Sequence, residues 1–458
     1  MTIKIENGLI LTMDSHKTVI KGGDVYIKDN QVADICKTNE KSDRVDKVDT
    51  VIDATDKLVM PGFVNVHSHL QQYFRGVYEL IGDFYKVNLP LESYRHPDDM
   101  NDLGAASCAE LIYGGCTTTM NIYTYPSGFA EAVKQAGNRV VLGVDIEEVD
   151  LNLLRDGVYK YLPDKGLRAY ERAVDLFSEW HGKANGRITT VMAPKAADLT
   201  TPDTYLKCKK FANDNGIRIT THLAQSKREM SQVEKLYGKT PTQHLFDLSI
   251  MDDQFTGAHC SFITEEDLRL IKSTGMGILH CRAVSNPFYE WYNSGIPLGL
   301  GTDDYYHDML GLIRENISGQ KKLAEGSLLS TAKKGLSHYQ LLELATIKGA
   351  QVLGMDKEIG SIEVNKKADL IIADLRSPFI SPTKDPVTSF VLYGSAADIK
   401  TVIVDGKVLK REGKLTTINI DDAIKSAQRK TDQIIDRFFS DYPELFDAWK
   451  TKLDYEWS

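Results

Sequence analysis

The segment 61–70 reads P-G-F-V-N-V-H-S-H-L, in which Val64 and Val66 alternate with polar neighbours up to His67. This alternation predicts a short strand. Side chains two positions apart on a strand point to the same side, so His67 and His69 would project together from its end. Imidazole is a frequent ligand of zinc and other first-row divalent metals. The pair is either a metal site or two ordinary surface histidines, and the rest of the chain decides between these readings.

The composition is that of an ordinary globular protein, and the length of 458 residues favours one large domain plus a smaller one. A net charge of −9 without any basic run argues against a nucleic-acid partner. No apolar stretch approaches the ~20 residues of a membrane span. The first residues lack the layout of a secretory signal, and the six cysteines are scattered without a C-x-x-C pair. We therefore expect a cytoplasmic protein with reduced thiols.

The two ends of the chain share a β pattern. Residues 1–57 read as short strands separated by turn residues, which is typical of a small antiparallel unit. Similar strands recur at 366–375 and 400–409, where a D-G pair between two apolar runs predicts a hairpin. We expect residues 1–57 and 360–420 to form one small β-sandwich domain, followed by a helical tail at 421–458.

The middle of the chain, residues 58–359, alternates apolar strands with segments of helical periodicity. The strand candidates are 60–67, 117–124, 139–146, 187–194, 217–223, 254–260, 275–281 and 297–303. Eight strands alternating with helices over about 300 residues predict an α/β fold, the (β/α)₈ TIM barrel. An open doubly wound sheet is the alternative, but no G-x-G-x-x-G follows the first strand, which disfavours its dinucleotide-binding version.

Barrel enzymes carry their chemistry at the carboxyl ends of the strands. Side chains able to bind a metal fall at the ends of five of the predicted strands: His67 and His69, His222, His259, His280, and Asp303. A lone histidine is usually a satisfied core or surface residue. Their coincidence at one end of a barrel favours a metal centre.

Several motifs carry a resemblance to a known family. They are M-P-G-F-V-N-V-H-S-H-L, T-H-L-A-Q, G-A-H-C, G-L-G-T-D-D and the closing G-S-I-E-V-N-K-K-A-D-L-I-I-A-D. Together they resemble the amidohydrolase superfamily over nearly the whole chain. Within it, the chain is similar to the branch of aminohydrolases and chlorohydrolases that act on nitrogen heterocycles such as triazines and purines.

The resemblance implies that His67, His69, His222 and Asp303 bind one divalent metal, zinc or else iron. Such a site leaves a position for water, whose pKa the metal lowers towards ~7. Asp303 and His259 would hold and deprotonate this water, and His280 would face the polar edge of the substrate.

Two departures from the branch affect the predicted mechanism. Its deaminases carry a glutamate three residues after the histidine of the fifth strand, where this chain has Gln225. An amide donates a hydrogen bond but does not deliver a proton at neutral pH. The second departure is H-C-R-A-V-S-N from His280 onwards, one residue longer than the usual motif. A shift of one residue reverses the faces of a strand unless a bulge absorbs it, which affects His280.

The substrate pocket is predicted from residues just beyond the strand ends. Gln72, Lys195 and Tyr305 are the substrate-binding candidates, and Tyr73, Tyr123 and Tyr306 could stack against a flat ring. Arg75, Arg282 or Lys195 would suit a carboxylate or an electron-rich ring edge. Lys195 is alternatively a modified lysine bridging two metals, which the resemblance disfavours. Asp304 or Asp308 could brace the metal-binding groups, although we expect both to be exposed loop acids. Glu229 could serve in place of the missing glutamate, although we expect it on a helix face in solvent.

These observations predict an enzyme in which metal-activated hydroxide attacks a ring carbon of a nitrogen heterocycle and releases an amine, ammonia or another leaving group. The alternative is a hydrolase of acyclic amide, amidine or urea-like C–N bonds. A third reading is a metal-binding scaffold that has lost catalysis, although the retention of all the ligands and of His259 argues against it. By the same resemblance we expect a homodimer.

Overall fold

The computed structural model describes residues 1–70, 74–77, 84–281, 288–304, 306–323 and 335–453. Four residues singled out from the sequence lie outside these ranges: Gln72, Tyr73, Arg282 and Tyr305. Among the helices within the ranges, none is long and apolar enough to cross a membrane.

The strands of the described residues follow one another in two groups. The strands of the first and last parts of the chain are β1 (Thr2–Leu11), β2 (Val19–Lys28), β3 (Gln31–Lys37), β4 (Thr50–Asp53) and β5 (Lys57–Pro61), then β14 (Leu370–Asp374), β15 (Ile399–Val404), β16 (Lys407–Arg411) and β17 (Lys414–Leu415). Between them lie β6 (Phe63–Ser68), β7 (Cys116–Tyr123), β8 (Arg139–Ile146), β9 (Ile188–Pro194), β10 (Ile219–Leu223), β11 (Phe255–His259), β12 (Gly277–Cys281) and β13 (Leu298–Gly301).

The helices occupy the connections and the end of the chain. Those of the first half are α1 (Leu89–Glu92), which follows a π-helical turn at Phe84–Asn88, α2 (Met100–Tyr113), α3 (Ser127–Ala136), α4 (Leu151–Leu154), α5 (Pro163–Trp180), α6 (Pro202–Asn215) and α7 (Lys227–Tyr237). Those of the second half are α8 (Pro241–Asp247), α9 (Glu265–Thr274), α10 (Phe288–Asn293), α11 (Met309–Leu323), α12 (His338–Leu344), α13 (Ile347–Val352), α14 (Pro386–Tyr393), α15 (Ile420–Asp441) and α16 (Pro443–Thr451).

Strands β6 to β13 form a parallel sheet in which each strand pairs with the next along the chain. The sheet closes on itself at Ser68 and Asp303, which form a parallel bridge between the first and last strands. Asp303 N donates to His67 O at 3.0 Å across this seam. The predicted barrel is confirmed, and its strands begin and end within about three residues of the predicted bounds.

The barrel interior is filled by every second side chain of its strands, as the pleat of a strand requires. On β12, for example, Leu279 and Cys281 belong to the apolar cluster that also contains Val64 and Val66 of β6. Ile278, the residue before Leu279, packs instead with the larger cluster that includes the surrounding helices. This alternation fixes which strand residues can point towards the barrel axis.

Both ends of the chain contribute to the second sheet, which is mixed and has the order β17-β16-β15-β14-β5-β1-β2-β3, with β4 paired to β1. The central pair is β5 with β14, so strands from the two ends of the chain lie side by side. Arg139 at the start of β8 joins this sheet to the barrel. Its Nε donates to Asp369 Oδ2 at 2.8 Å, and Asp405 lies 3.6 Å from its Nη2.

The helical tail packs on the barrel of its own chain. Ala427, Ile434 and Phe438 of α15 lie in one apolar cluster with Leu91 and Leu103, which belong to α1 and α2. These two helices precede the second barrel strand. The tail therefore supports the segment that leads from the first strand end towards the candidate site.

We predict that residues 1–57 do not fold without the rest of the chain. Strand β5 pairs with β14 throughout its length, and the core of the sheet includes Leu370 and Ile372 from β14. A peptide of residues 1–57 lacks both the pairing with β14 and the core residues that β14 supplies. Chains this short are marginally stable even with a complete core. Circular dichroism and NMR of the peptide should show an unfolded chain. A cooperatively folded peptide would contradict the composite domain of 1–57 and 360–420.

Candidate metal centre and cavity

The carboxyl ends of the barrel strands bring the predicted histidines and Asp303 together. His67 lies near the end of β6, and His69 lies in the turn that follows it. His222 lies on β10, and His259 is the last residue of β11. Asp303 follows β13 and is held at the seam next to β6. All five are contributed by strands whose register is fixed by the barrel, which gives the cluster a rigid support.

Two of the imidazoles are fixed in one tautomer by backbone carbonyls. His69 Nδ1 donates to Ile122 O at 2.7 Å, and His222 Nδ1 donates to Lys195 O at 2.8 Å. In the neutral rings each Nε2 then carries a lone pair. The two Nε2 atoms lie 3.2 Å apart, an unfavourable approach unless a proton or a cation lies between them.

His67 supplies the test of whether a metal fits. Its side chain is fully buried, and neither ring nitrogen has a hydrogen-bond partner among the described residues. Asp303 Oδ1 lies 3.7 Å from His67 Nε2 and 3.6 Å from His69 Nε2. One donor atom each of His67, His69 and His222 lies within 4.8 Å of the others. Three imidazoles and a carboxylate suit a divalent metal such as zinc, so the residues fit the group.

The protonation states agree with metal ligation. Burial lowers the pKa of His67 and of His222 well below the ordinary value, and the pKa of His259 is lowered by burial as well. For His69 burial also acts downwards, but the nearby carboxylates of Asp304 and Asp303 outweigh it and raise the pKa. The rings of His67, His222 and His259 are therefore ready to bind as neutral ligands, and the carboxylates around His69 favour positive charge at that point.

The backbone is strained where the strands end. His259 has a φ of 71° and Asp303 a φ of 62°, in the left-handed region that residues other than glycine rarely adopt. Ala224, just after β10, has a φ of 48°. Such conformations persist where the surrounding structure fixes them, and they cluster at functional sites.

The cavity beside the histidines is lined by these described residues: His69, Tyr85, Leu89, Glu92, Lys195, Ala196, Asp198, Leu199, His222, Gln225, Ser226, Glu229, Asp303 and Asp304. Sequence reasoning missed Tyr85, Glu92 and Asp198. Glu92 lies on α1 and Asp198 in the loop after β9, and no motif marks either residue. The only signal for Glu92 is an acid directly after the apolar run L-P-L.

Lys195 is a buried cation surrounded by acids. Its Nζ lies 2.8 Å from Glu92 Oε2, 2.8 Å from Glu147 Oε2 and 3.6 Å from Asp145 Oδ2. Although burial acts to lower its pKa, these carboxylates raise it well above the ordinary value. The ammonium group is therefore retained, which argues against a modified lysine bridging two metals. Its predicted contact with a substrate stays a prediction.

Gln225 lines the cavity, and its predicted catalytic role stays a prediction, but the expectation for Glu229 was wrong. Glu229 is buried, not exposed on a helix face. Its Oε1 accepts from Ala224 N at 3.1 Å and its Oε2 from Gln225 N at 2.7 Å. The reason is a helix start: Ser226 caps α7 by accepting from Glu229 N, and the glutamate reaches back to the preceding turn. Glu229 thus fixes the backbone at Gln225.

His280 lies on the helix side of β12. Its Nε2 is 2.8 Å from Asn316 Oδ1 of α11, and its ring stacks on Phe288 at 4.5 Å between centroids. Burial lowers its pKa to about 4. Cys281 is the neighbour that points towards the metal centre, with Sγ within 4.8 Å of donor atoms of His67 and His259. His280 is absent from the described cavity wall, and its predicted role towards a substrate stays a prediction.

Asp304 was also expected to be exposed and is instead buried in the cavity wall. Asn88 Nδ2 donates to its Oδ2 at 3.3 Å. Burial, and then the charge of Asp303, raise its pKa to about 7. Asp308 lies 3.6 Å from Arg314 as a partly exposed ion pair, and Tyr123 is buried. Asp304 is close enough to the centre to influence its charge, whereas Asp308 is not part of the wall.

Several known proteins are similar to this chain over most of its length. Residues 58–409 match the amidohydrolase family. A 5-methylthioadenosine/S-adenosylhomocysteine deaminase from Caldanaerobacter subterraneus subsp. tengcongensis is 32% identical over 453 residues, 95% of this chain and 99% of that protein. A 5'-deoxyadenosine deaminase from Methanosarcina mazei is 28% identical over 95% of this chain and 99% of its own length. An adenosine deaminase from Xanthomonas campestris, with bound zinc, superposes with a TM-score of 0.82 at 21% identity, over 94% of this chain and 98% of that one.

We predict about one tightly bound divalent metal per chain, held by His67, His69, His222 and Asp303. His67→Ala should lose most of the metal, because it removes one of the three imidazole ligands. His181→Ala, a half-buried histidine outside the centre, is the matched control and should keep the metal. Elemental analysis of the purified proteins makes the measurement. Two tightly bound metals together with a modified Lys195 would contradict the single site.

Proposed function

The chain belongs to the amidohydrolase family, so it is a metal-dependent hydrolase of C–N bonds other than peptide bonds, and we propose that it deaminates the purine ring of an adenosine-like nucleoside. The observation that carries this is the convergence of the His67, His69 and His222 rings with Asp303, beside a cavity that Gln225 also lines. The substrate class is supported by similarity over 95% of the chain to relatives named as deaminases of adenosine derivatives.

The reaction adds water to the ring carbon that bears the amine and releases ammonia, which leaves a ring carbonyl. Zinc held by His67, His69, His222 and Asp303 would lower the pKa of the attacking water towards ~7. His259 is buried with a lowered pKa, so it is neutral and able to take up a proton. Asp303, held at the seam by the backbone, would accept a hydrogen bond from that water and orient it.

Gln225 defines what this chain contributes at the ring nitrogen. Its amide N–H can donate a hydrogen bond to that nitrogen and hold the ring over the metal centre, but it cannot transfer a proton. Glu229 does not replace it, because both carboxylate oxygens accept backbone N–H groups. The proton required by the departing amine must therefore return from His259 or Asp303, or arrive with the substrate.

A second candidate activity follows from the same residue. Hydrolysis of an acyclic amide, amidine or urea-like C–N bond needs attack on a carbonyl or imino carbon and does not require protonation of a ring nitrogen. An amide at position 225 suits such a substrate as a hydrogen-bond donor. This is the alternative against which the deaminase proposal is tested.

We further propose a cytoplasmic homodimer. Support for the compartment comes from the cysteines, which are all free thiols, with five of them buried. The homodimer rests on the resemblance to the family. Sedimentation at working concentration tests it, and a monomeric species there would remove it.

The deaminase proposal is tested by ammonia release from the zinc-loaded protein. We expect release from 5'-deoxyadenosine and 5'-methylthioadenosine, and none from acyclic amides or ureas. His259→Asn should keep the metal and lose at least about 100-fold in kcat/KM, because the proton acceptor is removed. Release from the acyclic compounds alone would favour the second candidate.

Gln225→Glu should keep the metal and raise kcat/KM on amine-bearing heterocycles by about tenfold or more, since a carboxyl group there can protonate the ring nitrogen and the departing amine. Gln225→Met, which removes the amide dipole at nearly the same size, is the control and should lower activity. A glutamate variant that binds metal normally and is inactive on every amine would show that the native reaction is adapted to glutamine. That result favours the amide or amidine hydrolase.

A further inference from the structure

The cavity wall carries an excess of acidic side chains beyond the metal centre. Glu92, Asp198, Glu229 and Asp304 line it, and among the described residues Lys195 is the only lysine or arginine that does so. Three of these acids are not needed to hold a metal or to pair with Lys195. The sign of the charge therefore bears on which substrates enter.

Lys195 does not offset this excess. Its ammonium group is already shared among Glu92, Glu147 and Asp145. Lys165 belongs to the same cluster, since its Nζ lies 2.9 Å from Glu147 Oε1. Taken together, three carboxylates and two ammonium groups leave no positive charge for a substrate anion.

Arg228, whose side chain packs on Tyr85 of the cavity wall, is engaged as well. Its guanidinium lies 3.8 Å from the centroid of the Tyr85 ring, and its Nη1 donates to Leu154 O at 2.8 Å. The charge of Arg228 acts to lower the pKa of Asp198, although the two side chains do not form an ion pair. Tyr85, whose hydroxyl is 2.9 Å from Ser226 Oγ, separates this cation from the cavity.

Asp198 is the acid best placed to meet the part of a substrate remote from the ring. The reacting carbon must lie beside His69, His222 and Asp303, so the rest of the molecule extends along the remaining wall, which includes Asp198. Glu229 is occupied by backbone N–H groups, whereas Asp198 Oδ2 accepts one hydroxyl, that of Tyr159, at 2.6 Å. Within the described residues no basic side chain forms an ion pair with Asp198.

The ionisation of this wall agrees with uncompensated negative charge. Burial raises the pKa of Asp198 to about 6. Burial, and then the charge of Asp198, raise the pKa of Glu229 well above the ordinary carboxyl value. A bound positive group would relieve both, while a bound carboxylate would add to the repulsion.

We propose that this cavity selects nucleosides whose sugar substituent is neutral or cationic and rejects anionic ones, with Asp198 as the residue that sets the preference. The inference rests on the proposed deamination of an adenosine-like substrate and names the charge class of that substrate. Selection here works mainly by repulsion of the wrong charge, which is a common source of specificity.

Three nucleosides with the same reacting ring test the proposal: 5'-amino-5'-deoxyadenosine, 5'-deoxyadenosine and adenosine 5'-carboxylate. At about pH 7.5, where Asp198 is ionised, kcat/KM for the amine should exceed that for the carboxylate by at least about tenfold, with the neutral compound between them. Asp198→Asn keeps an oxygen acceptor for Tyr159 and should reduce this ratio by about tenfold. Asp203→Asn, an exposed acid at the start of α6, is the matched control and should leave the ratio unchanged.

Equal or better turnover of the carboxylate would overturn the proposal, and an unchanged ratio in Asp198→Asn would overturn the role of that residue. Calorimetric binding of the same three nucleosides to the zinc-loaded protein separates this inference from the proposed function. If none is deaminated but the amine binds more tightly than the carboxylate, the deaminase proposal fails and the charge selection holds. Absence of binding by all three would overturn both.

Discussion

The approach of His69 Nε2 and His222 Nε2 to 3.2 Å is the constraint on which the rest of the site depends. Each ring is turned into this position by a carbonyl that accepts its Nδ1 proton, one from β7 and the other from Lys195. Two neutral nitrogens with facing lone pairs repel each other, so the arrangement is stable only around a cation. The seam at Ser68 and Asp303 then brings a carboxylate to the same point. The contact that closes the barrel therefore also positions Asp303 beside the histidines.

Most of the barrel and of the metal centre could be predicted because both depend on local patterns. Apolar runs at regular intervals give the strands, and a histidine at the end of such a run has its direction fixed by strand periodicity. The same rule accounts for His280: with Leu279 and Cys281 on the inner face, the residue between them points to the helices. The sequence motif suggested the opposite face, and register rather than residue type decides the outcome.

The rest of the cavity could not be predicted, because its residues meet through long-range contacts. Glu92 contacts Lys195 although 103 positions separate them, and Asn88 contacts Asp304 across 216. Neither pair leaves a pattern in the sequence around it. Glu229 was misjudged for a different reason. A glutamate three residues after a serine is a helix-capping signal, and it predicts a carboxylate turned back towards the preceding loop rather than outwards.

Gln225 and the acidic wall are linked by electrostatics. A carboxylate at position 225 would lie beside Glu229, in a wall that already contains Asp198 and whose one described lysine, Lys195, is already paired with acids. The amide avoids that repulsion while it keeps a hydrogen-bond donor towards the ring. Conversely, a glutamate placed there would have its pKa raised by burial and by the neighbouring acids, and a raised pKa is what a proton donor needs near neutral pH. The same wall that makes glutamine favourable in the resting protein would therefore make glutamate effective in catalysis. Glutamine at position 225 avoids repulsion in the cavity, and the proton transfer that a glutamate would provide is lost.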